Sequence, residues 1–204
     1  MRSWCPAESR AKKLSFAVAL RDGYTQGDPI GRIEASLKGM GKKGVMNASR
    51  YHLFIDMPDG IYTVQVRSDY YFEEQSAQID TSSHSPEDPV LMVLRPRPCY
   101  PFPYGETLIR GIVRDGNGSS VAGAKVGLDL GERRIEAECT EMGEFAIFFG
   151  PLNEEETLKD GETGNHYIKG EDGKKVVLQI SYDNVTKDLE VDEVVIGETN
   201  IIKK

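Results

Sequence analysis

The stretch Leu94-Arg95-Pro96-Arg97-Pro98-Cys99-Tyr100-Pro101-Phe102-Pro103-Tyr104 restricts this chain more than any other. Proline at nearly every second position removes backbone donors and pushes each preceding residue toward extended geometry. Neither a helix nor a central strand can be built from such a run. It predicts a semi-rigid polyproline II connector over residues 95–104, rising about 3.1 Å per residue. The connector splits the 204 residues into two stretches that each suit a domain of about 100 residues.

The same pattern is written on both sides of it. Leu20-Arg21-Asp22-Gly23 recurs as Val113-Arg114-Asp115-Gly116, an offset of 93 residues. At that offset Gly31-Arg32-Ile33 meets Ala124-Lys125-Val126, and Leu37 meets Leu130. One residue later in register, Tyr51-His52-Leu53-Phe54 meets Phe145-Ala146-Ile147-Phe148. Val64-Gln65-Val66 meets Leu178-Gln179-Ile180 only after about twenty extra residues in the second copy. Each copy reads as short runs of alternating apolar residues broken by turn signals. The first gives strands at 14–20, 30–37, 51–55, 61–67, 76–80 and 90–94. The second gives 107–114, 121–130, 133–139, 144–149, 175–182, 185–191 and 199–203. No window of helical period carries caps at both ends. The expected fold is all-β: two tandem antiparallel β-sandwiches of Greek-key type, over residues 14–94 and 105–204.

Charge and cysteine usage narrow the partners. Residues 1–94 carry 11 basic and 12 acidic side chains, whereas residues 105–204 carry 12 basic against 21 acidic. An acidic second half argues against nucleic acid, which needs a basic footprint. No apolar run approaches the roughly 18 residues of a membrane helix, so no membrane partner is expected. Cys5, Cys99 and Cys139 are far apart and show no C-x-x-C spacing, which points to free thiols in a reducing cytoplasm. Arg2, Arg10, Lys12 and Lys13 before Leu14-Ser15-Phe16-Ala17-Val18-Ala19-Leu20 imitate a signal peptide. However, Arg21-Asp22-Gly23 stands where a small-residue cleavage site belongs. Residues 1–13 read as a loose N-terminal arm.

The repeated residues also carry a family resemblance. Leu108-Ile109-Arg110-Gly111-Ile112-Val113-Arg114-Asp115, followed by Val121-Ala122-Gly123-Ala124-Lys125-Val126, resembles the opening of the carboxypeptidase regulatory-like domain. Thr140-Glu141-Met142-Gly143-Glu144-Phe145 resembles its T-D-x-x-G-x-F strand, and residues 51–64 resemble its G-x-F-x-F-x-x-L-P-x-G-x-Y-x-V run. The resemblance implies a transthyretin-like sandwich in each copy. Arg50 stands where that family favours glycine, so the first copy is the more diverged. These motifs make turns and fill cores; they imply no catalytic residue, and fold alone licenses no enzymatic activity.

Residues 152–173 form an acidic insertion, with seven carboxylates against Lys159 and Lys169. Its polarity predicts a disordered loop or a loosely attached hairpin, so a short Gly/Ser turn should replace 154–172 for under about 1 kcal/mol. Asp115-Gly116-Asn117-Gly118 opens like a calcium loop, but Val126 occupies the position of the bidentate glutamate, leaving a strand-ending turn. Gly39-Met40-Gly41-Lys42-Lys43-Gly44 lacks phosphate-loop spacing and reads as a basic hairpin tip. His52, His84 and His166 share no metal-binding spacing, and no metal or cofactor is expected. The aromatic clusters are the most suggestive features. Tyr70, Tyr71, Phe72 and Tyr100, Phe102, Tyr104 suit either an interaction platform or interdomain packing. For the connector rings, glue between the two sandwiches is the preferred reading. The expected function is therefore a non-enzymatic structural or protein-interaction module, an accessory part of a larger assembly. A carbohydrate-binding module using exposed aromatics is the alternative.

Overall fold

A computed structural model describes residues 12–170 and 173–202. Most of the N-terminal arm expected at 1–13, namely residues 1–11, lies outside the described residues. Among the described residues the chain is all-β apart from one short 3₁₀ turn, Glu154–Glu156. It divides into two compact units, residues 1–96 and 97–204.

The first unit contains β1 (Leu14–Asp22), β2 (Ile33–Leu37), β3 (Val45–Met46), β4 (His52–Ile55), β5 (Ile61–Tyr62), β6 (Val64–Ser68), β7 (Glu74–Gln75), β8 (Ile79–Asp80) and β9 (Val90–Leu94). They form sheets ordered β3-β4-β1-β9 and β2-β6-β7, with β5 and β8 as a separate ribbon. β1 runs antiparallel to β4 and parallel to β9. Alternation decides which side chains face inward. Phe16 and Val18 of β1, Phe54 of β4, Ala35 and Leu37 of β2, and Val64 and Val66 of β6 are all buried. The Phe16 and Phe54 rings stack with centroids 4.7 Å apart.

The basic Gly39–Gly44 turn closes with Leu37 N–H donating to the Lys42 carbonyl, as a hairpin tip should. Beyond it the chain pairs briefly with β2 and then crosses to β4. The crossing is tight at Gly44, where a Cβ would stand 3.1 Å from His52 and from the Phe54 ring.

The second unit contains β10 (Leu108–Ile112), β11 (Lys125–Leu130), β12 (Arg133–Glu138), β13 (Glu144–Phe148), β14 (Thr157–Lys159), β15 (His166–Ile168), β16 (Lys175–Tyr182), β17 (Val185–Asp192) and β18 (Thr199–Ile201). Its sheets are β13-β10-β18 and β12-β11-β16-β17, with β14 and β15 as a hairpin. β10 is antiparallel to β13 and parallel to β18. Its third strand stays wholly with β11, instead of crossing as in the first unit. Arg134 of β12 lies across Gly127 of β11, where a side chain would leave no room for the guanidinium. There it pairs with Asp129 and Glu136.

The register between the halves needs one correction. Phe145 is a core residue, whereas Tyr51 lies on the face opposite buried His52 and Phe54. His52, not Tyr51, therefore occupies the place of Phe145, and the offset stays at 93. The preceding turns agree. Asn47 N–H donates to the Tyr51 carbonyl, and Thr140 N–H donates to that of Glu144. Gly143 sits in the second turn at φ +74°, and Arg50 sits in the first at φ +63°. A non-glycine residue there works against Cβ sterics by about 1–2 kcal/mol. The Arg50–Asp28 pair, 3.5 Å apart and exposed, offsets little of that. Replacing Arg50 with Gly should raise stability by about 1 kcal/mol despite glycine's looser unfolded chain, read as a higher denaturant midpoint at unchanged m-value.

Of the insertion expected to be a disordered loop or a loosely attached hairpin, residues 152–170 form a hairpin packed into the second unit. Tyr167 and Ile168 are buried, and Ile168 belongs to the core cluster of the second unit. Ile168 N–H donates to the Val194 carbonyl, and Ile196 N–H to that of His166. Glu156 is buried because Arg133 takes both its carboxylate oxygens, at 2.6 and 3.0 Å, while Asn153 N–H donates at 2.8 Å. Deleting this segment would remove the buried Tyr167 and Ile168 side chains, each contributing about 1.5–3 kcal/mol, so the cost far exceeds 1 kcal/mol.

The hairpin tip is held electrostatically. The Lys174 ammonium donates to Asp160 at 2.5 Å and to Glu193 at 3.1 Å, and lies 4.3 Å from the centre of the Tyr167 ring. Lys174, with the Thr163 and Glu162 backbone N–H groups, holds the Asp160 carboxyl down from its ordinary 3.8 to about 2. A depressed carboxylate contributes its stabilisation above the unfolded value and loses it as pH falls through the folded one. Amide protection factors in residues 160–166 should therefore fall between about pH 4 and pH 2, while those at Leu128 and Leu178 hold.

Candidate functional site

The six aromatic residues singled out in the sequence are not brought together as a platform. Tyr71 is 1% exposed and belongs to the first core. Its hydroxyl donates to Asp22 Oδ2 at 2.8 Å and accepts from Ile30 N–H at 3.1 Å. Asp22 Oδ1 accepts from the Tyr24 and Thr25 N–H groups, so the Asp-Gly turn is tied to the core through this ring. Tyr70 is half-buried against Gly31, where a Cβ would stand 2.6 Å from the ring. Phe72 is half-buried under the Arg95 guanidinium, 5.5 Å from its centroid.

In the connector Tyr100 is buried, Phe102 half-buried and Tyr104 fully exposed. Phe102 lies 4.8 Å from Tyr100, 5.6 Å from Phe148 of β13, and 5.6 Å beneath the Arg110 guanidinium of β10. Arg110 Nη1 also donates to the Pro98 carbonyl at 2.8 Å. Residues 98–102 therefore lie along the outward side of β10 and β13. Phe102→Ala should cost about 1–2 kcal/mol in a thermal melt, through lost ring and cation–π contact. Tyr104→Ala should leave the melt within about 0.5 kcal/mol of the parent.

Where the connector stops covering this sheet, a groove of about 530 Å³ opens. Pro98 and Cys99 form one wall; Ile112, Arg114, Glu144, Ile201 and Ile202 line the rest, with Arg110 at the connector side. Phe145 forms part of its floor. Gly111 is required above that ring, since a Cβ would meet it at 2.8 Å. Ile112 and Ile201 are 43% and 64% exposed, unusual for isoleucines on strands, and belong to the paired strands β10 and β18. A second hollow of about 470 Å³ shares Ile112, Arg114, Phe145 and Ile202 and reaches Ile180, Tyr182 and Leu189.

The groove is apolar with a cationic bias, although its unit is acidic. The Arg110 Nε–H is buried without a hydrogen-bond partner among the described residues, and Arg114 Nη1 donates only to the nearby Gly118 carbonyl. Glu144 is the one carboxylate in the lining among the described residues. Sequence reading recognised β10 and β18 as strands but not this surface. The available signal was Arg110-Gly111-Ile112-Val113-Arg114, an isoleucine on the outward face between two arginines.

The other candidates are structural. Asp115 Oδ1 accepts from the Asn117 and Ser119 N–H groups at 2.8 and 2.9 Å, closing a turn. His52 faces the first core, where burial pushes its pKa down. His84 lies edge-on to Phe16 at 6.5 Å, and His166 is exposed on β15. Among the described residues no group of three or more His, Cys, Asp and Glu side chains is arranged to hold a metal. Burial pushes the Cys139 thiol up to about 12, whereas Cys99 is exposed at the groove wall.

No family model and no curated protein matches the sequence. Among solved structures, the Bacillus anthracis TIE protein aligns over 92% of this chain at 10% identity, with a TM-score of 0.29. This chain spans 33% of that protein's length.

Proposed function

We propose that this chain is a non-enzymatic protein-interaction module, an accessory part of a larger cytoplasmic assembly. We read its two units as tandem transthyretin-like β-sandwiches of the carboxypeptidase regulatory-like kind. The doubling is supported by corresponding strand orders, β4-β1-β9 and β13-β10-β18, each with its outer member parallel to the central strand. It is supported again by the 93-residue spacing of the Arg50 and Gly143 turns.

The observation that carries the functional reading is the pair of exposed isoleucines, Ile112 and Ile201, in a groove rimmed by Arg110 and Arg114. Such a surface suits a polypeptide whose apolar side chain enters between the isoleucines and whose neighbouring carboxylate meets the arginines. A sugar needs coplanar exposed rings. Here Tyr71 and Tyr100 are buried and Tyr104 has no ring partner among the described residues, which weakens the carbohydrate alternative. Ile201→Lys places a charge where the partner's apolar group would sit, on a side chain already exposed. The variant should keep the parent melting curve. In a quantitative comparison of proteins captured by the two baits, it should lose at least tenfold of one captured protein. Equal capture by both baits would overturn the groove as the interface, and binding of parent and variant to a glycan array would favour the sugar reading.

A further inference from the structure

Arg50 is held in a left-handed conformation, φ +63°, at the turn position where the second unit places Gly143. A side chain kept where the backbone favours glycine calls for a role beyond the turn itself. Its surroundings supply one. A hollow of about 400 Å³ in the first unit is lined by Ala19, Arg21, Ser49, Arg50 and Tyr51, with Leu91 as an apolar wall. Strand register creates it. Val18 pairs with His52, which puts Tyr51 beside Ala19, and Ala19 pairs on its other side with Leu91. The alanine is too short to fill the gap between its neighbours, and Arg21 stands two residues along the same face of β1.

The second unit fills the matching place differently. At the 93-residue offset Ala19 corresponds to Ile112, Arg21 to Arg114, Arg50 to Gly143 and Tyr51 to Glu144. Ile112 and Glu144 are register partners across β10 and β13, as the positions of Ala19 and Tyr51 require. Only the first-strand arginine is common to both. The first unit has an open floor where the second has an isoleucine, and a phenol where it has a carboxylate. It also has a second guanidinium where the other has no side chain. Those donors are left largely unpaired. Among the described residues the Arg21 guanidinium and the Ser49 and Tyr51 hydroxyls have no hydrogen-bond partner. Arg50 meets Asp28 through Nε at 3.5 Å, longer than a good charge-assisted hydrogen bond. Asp28 is the one carboxylate in the lining among the described residues, and it is exposed, so two guanidiniums stand against one solvated acid.

We propose that this hollow binds a small organic phosphate monoester. A dianionic phosphate offers three terminal oxygens, enough for both guanidiniums and the two hydroxyls, whereas one arginine fork saturates a carboxylate. The hollow is larger than a phosphate group, and Leu91 with the Ala19 floor gives the organic part an apolar rest. Arg50 then keeps its strained backbone for the ligand's sake. The site lies within the first unit and is separate from the isoleucine groove of the second.

Phenyl phosphate is the probe, titrated into the isotope-labelled chain at constant ionic strength and followed by backbone amide and arginine Nε–H shifts. Shifts should concentrate at Arg21, Arg50 and Tyr51 and saturate with a Kd below about 10 mM. Inorganic phosphate lacks the organic part and benzoate lacks the dianion, so each should bind about fivefold more weakly. Arg21→Ala and Arg50→Gly should each weaken phenyl phosphate binding about tenfold. Because Arg50→Gly relieves the turn and raises the denaturant midpoint, its loss of binding cannot be loss of fold. Shifts scattered over other lysines and arginines, or variants that bind like the parent, would overturn the proposal. So would equal affinity for inorganic phosphate or benzoate, or no saturation in that concentration range.

Discussion

Everything in this fold hangs on one arrangement, met once in each unit. The first strand of the unit is flanked on one side by an antiparallel neighbour and on the other by the unit's last strand running parallel. β1 lies between β4 and β9, and β10 between β13 and β18. Parallel pairing of first and last strands requires every other element to be laid down between them. It also makes the first strand an interior strand with two faces to satisfy. The inner face meets the opposite sheet through Phe16 and Val18, or through Ile109 and Val113. The strand's end must then turn sharply away. Asp22 accepts two backbone N–H groups there, while Gly23 N–H donates to the Leu94 carbonyl at the last strand. A Cβ on Gly23 would stand 2.6 Å from that carbonyl oxygen, so the first unit's closure requires glycine there, whereas Gly116 of the matching turn has open space around it.

Much of this was legible because it depends on local chemistry. Alternation in Val64-Gln65-Val66, the Asp-Gly turns and the proline run each announce their geometry within a few residues. Where the sequence misled, a long-range partner reversed a local preference. The insertion looked like a solvated loop because Glu154, Glu155, Glu156, Asp160 and Glu162 dominate its composition. Two of those carboxylates are instead taken up by Arg133 and Lys174, and Tyr167-Ile168 supplies the apolar anchor. The placement of Tyr51 opposite Phe145 erred for a related reason. Aligning aromatic with aromatic ignored which face each occupies, and Arg50 in a left-handed conformation hid the equivalence with Gly143.

The candidate groove was harder to foresee. Ile112 and Ile201 are 89 residues apart and meet only because β18 joins β10. Nothing local to Glu198-Thr199-Asn200-Ile201 marks it as the edge of a binding surface. The aromatic clusters drew attention for composition, yet the strongest ring, Tyr71, serves as a core hydrogen-bond donor to Asp22. Phe102 lies over its own unit's sheet. Aromatic content signals burial as readily as recognition; small or apolar residues at outward strand positions are the sharper sign of a covered or binding face.

The central claim is that each unit closes around its own first strand and that the acidic hairpin belongs to the second core. Native-state hydrogen exchange across a denaturant series resolves this residue by residue. The account predicts two separate global openings. Phe16, Val18, Val64, Val66 and Leu94 should share one free energy, and Ile109, Leu128, Ile147, Leu178 and Ile168 should share another. A single opening common to both sets, or Ile168 exchanging with the surface turns, would contradict it.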